Sequence, residues 1–477
     1  MNKRMIAYML GQIMKIESLL MILPLSIAFL SKEGKYYSYF IPIILLLVTG
    51  FALSFKKPAN VTFYAKEGFI SVGLAWIILS LYGALPFCIS GDIPSYTDAF
   101  FETVSGFTTT GSTILTNIEG MRKSNLFWRS FTHWIGGMGI LVFVLAILPQ
   151  SNSGDMHMLR AEVPGPKVGK LVSKIRFSAR ILYGIYIVLT GIEVVFLLLG
   201  GMPLFDSVVN SFGTAGTGGF AVLNASIAGY NSPYCEGVIA VFMLIFGINF
   251  NVFYLLLLRK FSAAFRNQEL WAYLGIVAVA IVAIMINICS IYGNLLTSFR
   301  FSSFQVISII TTSGFATADY MQWPEFSQCI IMLLMFIGAC AGSTGGGLKV
   351  YRVVLLFKIA IKEIGYTLNP RSVSSIKMDG KPVETNVLRG VANYTILYFF
   401  LLGLSLVLIC VDDFDIATSV SAVITCFNNV GPGLGDVGPA GNFSEFSDFS
   451  KIILCADMLL GRLEIFPLLM LFKCGKR

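Results

Sequence analysis

Histidine is almost absent from this sequence: among 477 residues there are two, His133 and His157. Each is isolated, which argues against a metal site and against histidine-based catalysis. Nine cysteines occur without a single CxxC pair, and most sit inside apolar runs, where a thiol behaves as a small buried hydrophobe. Charge is scarce as well. Asp, Glu, Lys and Arg make up 13% of the chain, about half of the roughly 25% that an ordinary soluble domain carries, while 56% of the residues are hydrophobic. Glycine and proline follow no fixed period, which excludes a collagen-like chain, and the apolar content excludes a disordered one. Uncharged runs of about 20 residues recur from end to end, long enough to cross a bilayer as helices. The composition is that of an integral membrane protein whose constant partner is the lipid bilayer.

The first apolar run, about Met5 to Leu30, follows Lys3 and Arg4 and lacks a small-residue cleavage site. It is expected to be an uncleaved helix in a chain that starts at Met1. The net charge of +8 is distributed by topology, and no nucleic-acid partner is needed to explain it. Lys and Arg fill alternate connections: Lys56, Lys57 and Lys66; Arg160, Lys167, Lys170, Lys174, Arg176 and Arg180; Arg259, Lys260 and Arg266. The series continues from Lys349 to Arg389 and closes with Lys473, Lys476 and Arg477. The positive-inside rule makes these connections and both termini cytoplasmic. Acids occupy the intervening connections, among them Asp92, Asp98, Glu102, Asp206, Asp319, Asp412 and Asp436, which are expected outside.

Two apolar helices come first, within residues 1–66. After them one arrangement recurs four times: a long apolar run, a short polar segment ending in glycine, and a second long run. The expected boundaries are 67–150, 178–260, 268–365 and 388–475. Each copy starts and ends on the cytoplasmic side, so the segment between its two runs must lie outside or dip in from outside. Just before each glycine-rich end comes a short helix candidate: Thr97 to Phe107, Phe205 to Phe212, Ser302 to Ile310 and Asp415 to Phe427, with Asp or Ser near the start. A short helix followed by an extended glycine strand is a re-entrant loop, tolerated at membrane depth only where protein buries it or it lines a watery cavity. The expected fold is therefore all-α and membrane-embedded, with four tandem helix, re-entrant pore loop, helix repeats around one central pore plus two N-terminal transmembrane helices.

A dehydrated alkali cation needs oxygen ligands on several sides, and four strands converging on an axis supply rings of backbone carbonyls. Glycine at the centre of each strand leaves the backbone free to aim those carbonyls inward, which points to Gly111, Gly218, Gly314 and Gly431. Hydroxyls precede three of them, at Thr110, Thr217 and Ser313, with Val430 in the fourth. Two residues before and one after each glycine complete the expected filter: Thr109 and Ser112; Gly216 and Gly219; Thr312 and Phe315; Asn429 and Pro432. Each short helix also aims its C-terminal dipole at the axis, favouring a cation. One Thr-Gly pair alone is better explained by helix packing; four in matching positions favour a pore. Pro432 has a fixed φ and no N–H, so the fourth strand is expected to break the symmetry.

Five stretches, Ser105–Gly111 (SGFTTTG), His133–Gly139 (HWIGGMG), Ala215–Phe220 (AGTGGF), Ser308–Phe315 (SIITTSGF) and Asn428–Gly435 (NNVGPGLG), carry a likeness that spans nearly the whole chain. Together they resemble the Trk/Ktr/HKT superfamily of potassium uptake proteins, most closely its bacterial TrkH-type branch, and the two extra N-terminal helices favour that branch. The resemblance implies that potassium is the transported ion and that the chain carries no organic cofactor. It further implies a homodimer in the bacterial inner membrane and a cytoplasmic, ring-forming, nucleotide-binding regulatory subunit of the TrkA type. That subunit would dock on the basic loops Ser151 to Arg180 and Lys349 to Arg389. In this family four filter glycines go with potassium, whereas a serine in the first copy goes with sodium in some plant relatives; here Gly111 holds that place. The tyrosine that follows the glycine in ordinary potassium channels is missing, which suggests a looser filter.

The second run of the third copy, about Ile330 to Lys362, is interrupted by Gly338 to Gly347. Close helix packing around a kink is the plainer explanation. The favoured reading is nonetheless a mobile gate formed by Gly342, Ser343, Thr344, Gly345, Gly346 and Gly347, and the resemblance supports it. Arg462 lies in an apolar run where a charge usually faces a protein interior or cavity. It is expected to contact carbonyls of this gate, the alternative being a structural pair with Glu193. Gly342 to Lys349 is not a P-loop, because Leu348 separates the glycine from the lysine and no Ser or Thr follows. Nor is Gly431 to Gly435 a dinucleotide fingerprint. These readings converge on a potassium pore rather than an enzyme, driven by about 2.3 kcal/mol per 100 mV of membrane potential. The rival is a secondary transporter coupling potassium to protons or sodium.

Overall fold

The computed structural model describes residues 2–58, 65–139, 175–371 and 375–472. Most of the Ser151 to Arg180 loop, the end of the apolar run before Leu148, and Lys473, Lys476 and Arg477 lie outside the described residues. The chain is built from helices. The one sheet among the described residues is a hairpin pairing Lys377–Met378 with Lys381–Pro382. Among the described residues six helices are long and apolar enough to cross a membrane, or seven if the bent pair Pro233–Phe246 and Phe250–Leu257 is one span.

At the N-terminus, helices Lys3–Leu20 and Ile22–Leu30 follow one another, and Tyr37–Ser54 packs beside the first. Small residues permit that contact, since a Cβ on Gly11 would stand 2.7 Å from the Gly50 carbonyl oxygen. Polar contacts dock the pair onto the rest of the chain. Tyr39 donates to Asn125 Oδ1 at 2.7 Å, and Lys35 Nζ to the Ser90 carbonyl at 2.7 Å.

All four expected short helices are present, as Tyr96–Phe107, Leu204–Gly216, Leu295–Ile310 and Ile416–Asn428. Their starts follow ordinary capping chemistry. Ser95, Asn294 and Asp415 accept hydrogen bonds from the first-turn N–H groups of Asp98, Leu296 and Ala417. Asn294 extends the third helix several residues upstream of the expected Ser302. The second helix starts after Pro203 instead, with Asp206 in its first turn.

Each short helix is wedged between two neighbouring helices. The first packs on Lys123–Gly137 and Asp448–Arg462, and the second on Lys123–Gly137 and Pro233–Phe246. The third packs on Pro233–Phe246 and Glu325–Ile337, and the fourth on Glu325–Ile337 and Asp448–Arg462. The order closes on itself, so the first and last become neighbours although more than 300 residues separate them. Lys451 Nζ donates to Asp98 at 2.6 Å across that seam. Between the second and third, Arg300 grips Glu236 with two hydrogen bonds of 2.6 and 2.5 Å.

One difference from the sequence reading concerns these wedging helices. A single interruption was expected, between Ile337 and Val350, and it is there. Yet none of the other three continues straight. Lys123–Gly137 ends before Gly139, which has φ +79°. The second bends by 88° at Gly247–Asn249. The fourth stops at Arg462, and Glu464 and Ile465 follow with φ +56° and +65°, an unusual conformation for a β-branched residue. Close approach to the short helices gives the physical reason. A Cβ on Gly136 would overlap the Phe107 carbonyl oxygen, and one on Gly461 the Phe427 carbonyl oxygen.

Candidate functional site: four helix-ending turns in a ring

The four short helices end in the same backbone conformation. Thr109, Thr217, Thr312 and Asn429 take the left-handed region, with φ of +57°, +57°, +59° and +55°. Each donates its N–H three residues back, to Gly106, Thr214, Ile309 and Cys426, at 3.0–3.3 Å. The following residues, Thr110, Gly218, Ser313 and Val430, donate five residues back, to Ser105, Gly213, Ser308 and Thr425, at 2.8–2.9 Å. The chain then turns left-handed again at Gly111, Gly219, Gly314 and Gly431, with φ of +86°, +72°, +77° and +102°. Glycine suits that second place because it has no Cβ to resist it.

This register corrects one assignment. The expectation paired Gly218 with Gly111, Gly314 and Gly431, but dihedrals and hydrogen bonds make Gly219 the equivalent residue. Gly218 is instead the counterpart of Thr110, Ser313 and Val430, and Thr217 is the counterpart of Thr109. Phe220 thus follows the second glycine as Phe315 follows the third. His133 shows why the second turn has glycine in both places: a Cβ on Gly218 would stand 2.5 Å from its Cε1 and 2.6 Å from its Cγ. The ring is fixed by a 2.8 Å bond between Nδ1 and the Gly106 carbonyl.

The turns contact one another in cyclic order. A Cβ on Gly111 would overlap the carbonyl oxygen of Gly218, one on Gly219 that of Ser313, and one on Gly314 that of Val430. On Gly431 it would stand 2.8 Å from the carbonyl oxygen of Thr110. Each glycine therefore lies directly against a carbonyl of the next turn, and the fourth returns to the first. Gly111, Gly219 and Gly314 are partly exposed while the residues flanking each are buried. In the fourth turn Gly431 is buried and Pro432 partly exposed. The expected effect of Pro432 is thus narrower than stated: the helix-closing bonds are kept, and the departure begins at Gly431. Four carbonyls from four chain segments make one ring of oxygens of the kind that, stacked with others, replaces the water shell of an alkali cation.

Side chains behind the turns hold them in place. Thr108 bonds Thr110 at 2.8 Å, and Thr311 bonds Ser313 at 2.9 Å. Asn429 Nδ2 donates to Thr110 Oγ1 at 3.0 Å and to the Met458 carbonyl at 2.9 Å, tying the fourth turn to the first. Composition hid a further support, the buried pair Arg129–Glu102 at 2.5 Å. Glu102 also accepts from Thr113 and the Ile114 N–H, while Arg129 lies over the Phe220 ring and donates to the Ala221 carbonyl at 3.1 Å. The pair joins the strands that leave the first and second turns.

The glycine-rich interruption lies against the helix ends of this ring. Gly346 N–H donates to Thr312 Oγ1 at 2.6 Å, and Gly347 N–H to the Asn428 carbonyl at 3.0 Å. Thr344 Oγ1 donates to the Phe246 carbonyl at 3.3 Å. Arg462 reaches the loop as expected, donating to the Thr344 carbonyl at 2.7 Å. It also donates to the carbonyls of Gly136 and Gly137, at 2.5 and 2.9 Å, a contact the sequence reading missed. The nearby acids bond elsewhere: Asp457 accepts from Ser405 at 2.6 Å and Glu464 from Arg352 at 2.7 Å. Of the outer acids weighed as cation attractors, Asp98 pairs with Lys451, Asp206 accepts from Tyr230, and Asp415 caps its helix.

A family model described as TrkH, cation transport protein, matches residues 37–475. The chain is 37% identical over 479 residues to the Trk system potassium uptake protein TrkH of Salmonella typhimurium, covering 99% of both. It is 36% identical to the protein of the same name in Escherichia coli K12, again covering 99% of both. In three dimensions it is similar to the crystal structure of the potassium transporter TrkH from Vibrio parahaemolyticus, with a TM-score of 0.88 and 32% identity over 99% of this chain and 98% of that one.

Proposed function

The chain belongs to the TrkH family of cation transport proteins, and from that membership we propose that it takes up potassium through a filter made by its four turns. One observation carries the reading most: four glycines, one per turn, each press against a carbonyl of the next turn in a closed cycle. Residues 67–150, 178–260, 268–365 and 388–475 each contribute a helix, a re-entrant pore loop and a second helix around one pore. The filter comprises residues 109–112, 217–220, 312–315 and 429–432, with Gly216 at the end of its helix. Potassium sheds water onto the carbonyls of Thr110, Gly218, Ser313 and Val430, and the C-terminal ends of four helices favour its charge. Inside-negative potential then moves it inward.

Below the filter, Gly342 to Gly347 form the gate, with Arg462 as its latch and an electrostatic barrier to cations. Both termini face the cytoplasm of a bacterial inner-membrane protein that works as a homodimer. The basic segments Ser151 to Arg180 and Lys349 to Arg389 receive a nucleotide-binding regulatory subunit of the TrkA type, consistent with relatives named for a Trk system.

Rubidium uptake into vesicles holding the purified chain tests this reading. Uptake is expected to be competed better by external potassium than by sodium, and Gly111→Ser to narrow that difference. Equal competition by the two ions in the parent chain would contradict the filter.

A further inference from the structure

Arg462 is not the only side chain that holds the glycine-rich loop. Glu269, the second residue of helix Gln268–Tyr292, is buried at 3% exposure. Its Oε1 accepts the N–H of Ala341 at 2.5 Å and that of Tyr351 at 3.2 Å. Ala341 lies where the chain enters the loop, and Tyr351 in the first turn of the helix after it, Val350–Leu368. One carboxylate therefore staples both ends. One oxygen thus satisfies two buried N–H groups that would otherwise be orphaned, one of them in the first turn of a helix.

The surroundings of this staple reach in two directions. Toward the ring, the loop is laced to the 88° break of the second wedging helix. Cys340 N–H donates to the Gly247 carbonyl at 3.1 Å, and Phe250 N–H to the Gly342 carbonyl at 3.0 Å. Lys349, buried and with φ +75°, turns its Nζ back onto the Gly345 carbonyl within the loop. Away from the ring, the neighbouring Gln268 is tied to the short hairpin. Its N–H donates to Asp379 Oδ1 at 2.8 Å, and Lys358 Nζ bonds both Gln268 Oε1 and the Lys377 carbonyl, at 2.7 and 2.8 Å.

We propose that Glu269 is the clip that keeps the loop closed across the conduction path, and that the Lys377–Pro382 hairpin is the handle by which an event at the cytoplasmic face reaches it. The inference rests on the gate reading of Gly342 to Gly347. Glu269 acts as a positioning residue: it touches the loop and not the ion. Pulling on the hairpin displaces Gln268, and with it the carboxylate that both loop ends share.

Glu269→Gln keeps the volume and replaces a carboxyl that can carry charge with an amide that cannot, leaving one acceptor oxygen in place of two. In vesicles holding the full-length chain alone, rubidium influx is expected to rise by about tenfold, with potassium-to-sodium competition unchanged. Alkylation of Cys340, buried at 1% exposure in the parent and followed by peptide mass spectrometry, is expected to quicken in parallel. Asp379→Ala should act in the same direction more weakly. If Glu269→Gln fails to elute as folded protein, Glu269→Asp, whose shorter arm reaches one N–H at a time, takes its place. Unchanged influx and unchanged Cys340 labelling in a folded variant would overturn the clip. A deletion of Gly345 to Gly347 in the same vesicles separates the two ideas. If the deletion raises influx and the Glu269 variants do not, the clip alone is wrong; if the deletion does not, the gate reading is wrong and the clip falls with it.

Discussion

The ring of turns and the helix breaks beneath it share four chain segments but obey different rules. In the ring, the four copies agree in two hydrogen bonds and two positive-φ positions each, and at Gly218 His133 leaves no room for the side chain that the other three copies carry there. In the layer below, the four wedging helices stop or bend in four ways: at Gly137, at Gly247–Asn249, across Gly338 to Lys349, and at Leu463 to Ile465. A ring of carbonyls needs each segment to bring a turn to the same place, and the shared helix-closing bonds do that even where the fourth departs at Gly431. An obstruction needs one segment, so the others are free to become its supports: Gly136 and Gly137 hold Arg462, and Gly247 and Phe250 hold the loop. On the proposed reading, uniformity marks the part that recognises the ion, and divergence marks the part that moves.

Breaking the ring's support should cost most. Arg129→Met leaves Glu102 buried and unpaired, and the expected loss is about 3–5 kcal/mol, read as a lower thermal midpoint in lipid, with a large part recovered by adding Glu102→Leu. Retention of the parent midpoint in Arg129→Met would mean that the pair does not hold the first two turns together. Disturbing the lower layer should act on flux instead. Arg462→Met gives up hydrogen bonds from a charged group worth about 1.5–3 kcal/mol each, so rubidium influx is expected to rise tenfold or more without loss of fold. Arg462→Lys, which keeps the charge but not the fork, should fall between.

The register itself makes the third prediction. Gly219→Ser places a Cβ against the Ser313 carbonyl at positive φ, and potassium discrimination is expected to fall about tenfold, or about 1.4 kcal/mol. Gly218→Ser in a His133→Ala background should keep discrimination, because Thr110 and Ser313 already carry side chains at that place; the opposite ranking would restore the original pairing. The smallest effect belongs to the rim. Asp415→Ala removes one cap and should cost about 1 kcal/mol of stability while flux and ion competition stay at parent values.

Much of this was legible in the sequence, because the strongest signals are local. Apolar run lengths, alternating basic connections and the four glycine-rich ends follow from single stretches of chain. Gly338 to Gly347 announces its break through five glycines in ten residues. What stayed hidden depends on partners far away in sequence. Gly218 and Gly219 stand side by side, and only the helix-end hydrogen bonds say which is central; the spacing of Thr or Asn two residues before each glycine was the available hint. The breaks at Gly247 and Leu463 carry one glycine or none, since the cause is the Thr311 or Phe427 region pressing from another segment. Arg129, Glu102 and Glu269 read as ordinary charges until folding buries them.

The central claim is that the four turns pass potassium down its own electrochemical gradient. The most direct measurement is the reversal potential of current through the purified chain in a planar bilayer, with unequal potassium and initially equal pH and sodium on the two sides. The account predicts a potential set by the potassium gradient that stays in place when a pH or sodium gradient is then imposed. A potential that moves with the imposed proton gradient would contradict the pore and point to coupled transport, and one that moves with sodium as strongly as with potassium would contradict a potassium filter.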